Sequence, residues 1–295
     1  MEYYLQLVIS GLVVGSIYSL VALGFVIIYK ATKVVNFAQG ELVMVGAFAC
    51  FSLTVQFGLP FWVSFPMTLV FSTVLGMAIE RLALRPLIGE PTISVIMVTI
   101  GLSSVLKALV QLVWGTQIRV YPQVLPTEPL VVAGLPVSPV YVAAFVLSIL
   151  LFAAFSFFFK YSRQGIAMRA TAFDQAAAAS MGISIKGIFA MSWCVAAMVS
   201  AIGGVILGNI NGINSQLGHL GLTVFPAVIL GGLDSLAGAA LGGLLIGVLE
   251  NVCDGLAKDV LGLGGFKDVA AFIVLVMVLM LKPYGLFGTR QIERV

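Results

Sequence analysis

The chain alternates long apolar stretches with short polar interruptions. Apolar runs occupy about 5–29, 40–58, 60–84, 92–113, 139–159, 187–208 and 268–282. A helix needs about 20 such residues to cross a hydrocarbon core roughly 30 Å thick. None of the runs has the period-2 alternation of a barrel strand, so helices, which satisfy their own backbone groups, are the viable element. The pattern predicts an all-α polytopic membrane protein with about 7–9 membrane-crossing helices, some interrupted or re-entrant.

Two interruptions are informative. The segment 221–250, GLTVFPAVILGGLDSLAGAALGGLLIGVLE, holds two apolar pieces, 221–233 and 236–249. Each is about 20 Å long as a helix, too short to span alone. This predicts a re-entrant pair of half-helices broken at Gly231, Gly232 and Asp234, with Asp234 as N-cap of the second half. The segment 33–47, KVVNFAQGELVMVGA, spaces Asn36 and Gln39 as a capping box and puts Glu41 in the first turn, where the helix dipole favours a carboxylate. Irregular backbone at membrane depth needs protein or water around it. Asn36, Gln39, Glu41, Gly231, Gly232 and Asp234 are therefore candidates to line a pathway. The pairs Gly11 and Gly15, Gly204 and Gly208, Gly238 and Gly242, and Gly243 and Gly247 have the spacing that lets helix backbones approach closely.

Charge sets the orientation. Lys30, Lys33, Arg81, Arg85, Lys160, Arg163, Arg169, Lys186, Lys282, Arg290 and Arg294 are 11 of the 15 basic residues and fall on one side if the N-terminus is outside and the C-terminus cytoplasmic. Arg119, Lys258 and Lys267 fall opposite, and Lys107 sits inside a span near its outer end, where it can snorkel. Met1 to Leu5 carries no Lys or Arg and the first apolar run continues to Tyr29, which reads as a retained first span. One transmembrane domain, 1–295, is expected, with an extracytoplasmic loop at 114–138 and a cytoplasmic loop at 160–186.

The candidate chemistry is sparse. Cys50, Cys194 and Cys253 are odd in number and far apart, against a disulfide framework or a thiolate metal site. No cluster of His, Cys and carboxylates has ligand spacing, His219 is the only histidine, and no catalytic residue is assigned. The chain has no G-x-x-x-x-G-K-[ST] phosphate loop to cradle nucleotide phosphates, and no cofactor is expected in it.

The loop 160–186 contains RATAFDQAAAASMGI, 169–183. Arg169 leads into it, Thr171 and Asp174 have capping-box spacing, an alanine run follows, and Gly182 is placed to stop the helix in a left-handed conformation. This predicts one helix over 172–181 whose stripe of Phe173, Ala176, Ala177, Ser180 and Met181 is narrow enough to slot into a partner's groove.

The ordered set NFAQGELVMVGA (36–47), RQGIAMRATAFDQAAAASMGI (163–183), AVILGGLDSLAGAALGGLLIGVLE (227–250) and KPYGLFG (282–288) resembles the inner-membrane permease subunit of branched-chain amino acid ABC importers. The resemblance implies a bacterial inner-membrane subunit that pairs with a second related permease, docks two cytoplasmic ATPase subunits and receives solute from an extracytoplasmic binding protein. It also implies a coupling helix in the loop after the fifth span. Ala176, Ala177, Ala178 and Gly182 look like a Glu-Ala-Ala-x-x-x-Gly signature with Ala176 in place of the glutamate, so that glutamate's role does not carry over. The alternative is a self-sufficient secondary transporter or channel for a small polar solute. It calls for charged coupling groups within the spans, for which Glu41, Asp234 and Glu250 are the candidates.

Overall fold

The computed structural model describes residues 2–122, 128, 130–132, 135–262 and 265–288. Arg290, Arg294 and part of the 114–138 loop lie outside the described residues. The helices are α1 (Glu2–Thr32), α2 (Gln39–Phe51), α3 (Phe61–Ile79), α4 (Thr92–Trp114), α5 (Pro139–Tyr161), α6 (Arg163–Phe173), α7 (Gln175–Ser180), α8 (Ile185–Asn211), α9 (Leu220–Gly231), α10 (Leu236–Leu261) and α11 (Lys267–Leu281). A short antiparallel pair, β1 (Leu130–Val132) and β2 (Leu135–Val137), sits in the 114–138 loop with Leu130 opposite Val137. The protein is an all-α polytopic membrane protein. Among the described residues, 6 helices are long and apolar enough to cross a membrane, and Ser215–Gly231 and Val269–Leu281 are shorter apolar helices.

Two expected elements change length. The run 40–58 is only 13 residues of α-helix, α2, closed by a π turn in which Phe57 N donates to Ser52 O at 2.9 Å. Every residue of α2 is buried, so its apolar run records packing against protein rather than against lipid. Conversely, the second half of 221–250 does not stop at Glu250 but continues as the 26-residue α10, long enough to span. The polar residues that signal an end in the sequence find hydrogen-bond partners within the protein instead. Glu250 accepts from Tyr18 Oη at 2.9 Å, Asn251 donates to Gly247 O at 2.8 Å, and Asp254 accepts from Lys258 Nζ at 2.6 Å and from the Gly265 and Phe266 amides. Only α9, of 12 residues, keeps the half-helix length.

The chain packs as two compact units. The first holds Met1–Val26, Thr127–Phe152 and Thr223–Val295, and the second holds Ile27–Pro126 and Ala153–Leu222. In the first unit, small residues bring α1 onto α10. A Cβ on Gly11 would lie 2.7 Å from Val248 Cα, and one on Gly15 would lie 2.8 Å from Leu244 Cα. Ser19 Oγ then reaches Ala240 O at 2.7 Å. The segment 282–288 folds back on the end of α9, with Leu286 N donating to Leu230 O at 2.8 Å and Phe287 N to Gly231 O at 3.2 Å. Two of the four sequence motifs thus form one corner.

In the second unit α2 is sandwiched by α8, α3 and α4. Gly46 and Gly204 are the close points between α2 and α8, where a Cβ would strike Ala201 and Val43. Trp114 Nε1 donates to Ser52 Oγ at 2.6 Å, and Tyr121 Oη donates to Ala47 O at 2.7 Å. Burial, reinforced by nearby Cys50, holds the Tyr121 phenol well above its ordinary pKa, so it remains a neutral donor. Lys33 closes α1 with φ 58, a left-handed conformation costing a side-chain-bearing residue about 1 kcal/mol.

Candidate functional site

The candidate coupling segment is an elbow rather than one rod. Ser162 Oγ accepts from Gly165 N at 2.9 Å and starts α6 nine residues before the expected helix. Thr171 therefore caps nothing; it lies inside α6, buried, with Oγ1 bonded to Ala167 O at 2.9 Å. Asp174 takes extended backbone, φ −151 and ψ 112, ending α6 and capping α7 through Ala177 N at 2.9 Å. An N-cap side chain in extended backbone is what an Asp offers most readily, and it breaks the helix that the alanine run alone would continue.

Gly165 anchors the elbow to the end of α5, since a Cβ there would lie 2.6 Å from Phe158 O. Arg169 donates to the carbonyls of Phe159 and Lys160. Met168 and Ala178 are the buried contacts on either side of the break. Gly182 behaves as the spacing predicts: φ is +83, and the amides of Gly182 and Ile183 close the end of α7 on Ala179 O and Ala178 O, both at 3.0 Å. The opposite surface is bare. Phe173 is 95% exposed and Met181 82%, with Asp174, Ala176, Ala177 and Ser180 exposed between them.

The candidate pathway residues fall in separate units and form two local arrangements. Around α2, Asn36 is not the N-cap; that position is Ala38, without a side-chain cap. Asn36 instead turns the chain before the helix, accepting from Ala38 N at 3.0 Å and donating to Gln39 Oε1 at 3.2 Å. Gln39 passes the network to Ser200 on α8 at 2.6 Å, and Phe37 N donates to Thr99 Oγ1 at 3.3 Å. Asn36, Gln39, Thr99 and Ser200 are all buried. Glu41 does occupy the first turn, its carboxylate lying against Gly218. Lys107 Nζ stands 3.2 Å from His219 Nε2, and both act electrostatically on Glu41. The sequence offered Lys107 and His219 as isolated groups 112 positions apart, with no local spacing to link them.

In the other unit, Gly231 and Gly232 turn the chain between α9 and α10, with Gly232 at φ +103. A Cβ on Gly232 would lie 2.6 Å from Gly288 N. The cap of α10 is Ser235, accepting from Gly238 N at 3.0 Å, and not Asp234. The serine wins because its short side chain, one residue nearer the helix, reaches the third amide along. Among the described residues no group of His, Cys, Asp and Glu could hold a metal ion.

Residues 7–281 match the family described as branched-chain amino acid transport system, permease component, and the chain belongs to that family. It is 34% identical to the high-affinity branched-chain amino acid transport system permease protein BraD of Pseudomonas aeruginosa, over 99% of this chain and 98% of the relative. It is 30% identical to the corresponding LivH protein of Escherichia coli over the same shares. A probable LivH of Methanocaldococcus jannaschii is 28% identical over 96% of this chain and 92% of the relative. Among solved structures, PsaBC from Streptococcus pneumoniae in complex with Fab shares the fold, with a TM-score of 0.51 and 13% identity over 95% of this chain and 92% of that one. The protein is thus a multi-pass transport permease.

Proposed function

We propose that the chain is the permease subunit of an ATP-driven importer of branched-chain or related amino acids in the bacterial inner membrane. It forms half of the translocation pathway with a second related permease, docks two cytoplasmic ATPase subunits and receives solute from an extracytoplasmic binding protein. The N-terminus is outside and the C-terminus cytoplasmic, which puts the basic flank of α6 on the ATPase side. No cofactor resides in this chain; ATP belongs to the partners.

The observation that carries this reading is the elbow at Asp174. Phe173 and Met181 stand almost fully exposed on a segment whose other side is pinned by Gly165, Met168 and Ala178. Such apolar side chains on a rigid mount suit a groove in a partner and pass a push into α5 and α8, the membrane helices on either side. Asn36, Gln39, Glu41, Gly231, Gly232 and Asp234 border the pathway, supplying polar groups that wet it without holding solute tightly. Among the described residues, the cluster of Glu41, Lys107 and His219 favours an ion-coupled transporter instead. Purification in mild detergent decides between the two: an importer subunit brings ATPase polypeptides with it, and its transport requires ATP rather than an ion gradient.

A further inference from the structure

A cavity of about 300 Å³ opens in the second unit beside the junction of α1 and α2. That volume is at the lower end of small-molecule sites. Lys33, Glu90 and Gln175 reach it from three segments: the end of α1, the turn before α4 and the first residue of α7. Asn36 and Thr99 also line it, and Leu87, Ile88, Phe189 and Trp193 give it apolar walls. Among the described residues neither Lys33 nor Glu90 is in an ion pair. One cationic and one anionic residue thus border the same small space, the Lys33 ammonium resting 5.5 Å from the centre of the Tyr29 ring. Lys33 is moreover held at φ 58, a corner that glycine would adopt without strain, and the chain keeps a long cationic side chain there.

These groups complement a zwitterion that carries an apolar side chain. We propose that the cavity is a binding site for a free apolar α-amino acid, with Lys33 meeting the carboxylate, Glu90 the ammonium group, and Leu87, Ile88 and Trp193 the side chain. The choice of ligand rests on the permease reading above. Because Gln175 begins α7, a filled cavity braces the segment that faces the ATPase and an empty one leaves it free to move. Imported solute that accumulates on that side therefore slows its own uptake.

The test is calorimetric titration of the assembled complex, without binding protein, using leucine, isoamylamine (no carboxylate) and isocaproate (no ammonium). Leucine is expected to bind, and each singly charged analogue to bind on the order of tenfold more weakly. Lys33→Gln should bring leucine down to the level of isoamylamine and leave isoamylamine unchanged; Glu90→Gln should do the same with respect to isocaproate. A Gln175→Cys chain labelled with a charged maleimide should react more slowly when leucine is present. Absence of leucine binding at millimolar concentration, equal binding of all three compounds, or binding that both variants leave intact would overturn the assignment. ATP-driven uptake by the same complex tests the permease reading separately: uptake without cavity binding sinks this inference alone, and titration decides the cavity whichever way uptake falls.

Discussion

Gly40 and Gly221 meet backbone to backbone. A Cβ on Gly40 would lie 2.6 Å from the Gly221 nitrogen, and one on Gly221 would lie 2.7 Å from the Gly40 nitrogen. The contact joins the first turn of α2, carrying Gln39 and Glu41, to the start of α9, beside Gly218 and His219. Gly40→Ala and Gly221→Ala should each destabilise the protein by about 1–3 kcal/mol, because the neighbour in the way is backbone and cannot step aside. Gly101→Ala, where the added atom meets open space, is the matched control and should leave thermal unfolding in detergent little changed.

Gly182 has open space around it, so a substitution there acts through the backbone alone. With φ at +83, Gly182→Val should cost about 1–2 kcal/mol locally and misplace α7, while insertion and yield stay normal. ATP-driven uptake should fall by roughly tenfold, the factor that about 1.4 kcal/mol represents. Gly182→Asn, whose side chain tolerates the left-handed region, should retain much more uptake.

Phe173→Ser and Met181→Ser remove apolar side chains that touch little within the chain. Folding should be unaffected. Each should weaken docking by about 1.5–3 kcal/mol, the value of burying such a side chain on a partner. The measurement is the amount of ATPase retained through purification, compared between the single variants and the pair.

Tyr18 donates to the buried carboxylate of Glu250 across the α1–α10 contact at 2.9 Å. Tyr18→Phe keeps the ring and removes that donor, at an expected cost of about 1–3 kcal/mol. Thermal unfolding in detergent reads it, and a variant as stable as the parent would show that Glu250 does not depend on this bond.

The long spans were legible because lipid and helix geometry leave a run of about 20 apolar residues little else to be. The same signal misled at α2, where apolar residues face protein on every side, and at α10, where Tyr18 lies 232 positions from the Glu250 to which it donates. The turn chemistry shows a similar division. Gly182 was readable because one residue type suits one backbone conformation. Asp174 and Ser235 were harder, since Thr171, Asp174, Asp234 and Ser235 are all competent caps and only the path of the neighbouring chain selects among them. The small-residue pairs Gly11 with Gly15 and Gly243 with Gly247 could be read as close-packing faces, but their partners could not. Lys33, Glu90 and Gln175 gave no sequence signal of a shared cavity, because three separate turns bring them together.

The claim on which the account turns is that the α6–α7 elbow takes up motion from an ATPase. The direct measurement is site-specific cross-linking from Met181→Cys, in a chain whose Cys50, Cys194 and Cys253 have been replaced, within the assembled complex in proteoliposomes. The account predicts a cross-link to the ATPase subunit whose yield changes between nucleotide-free and ATP-bound states. A residue 181 that reacts only with reagent on the binding-protein side, or that cross-links to no ATPase in either state, would contradict it.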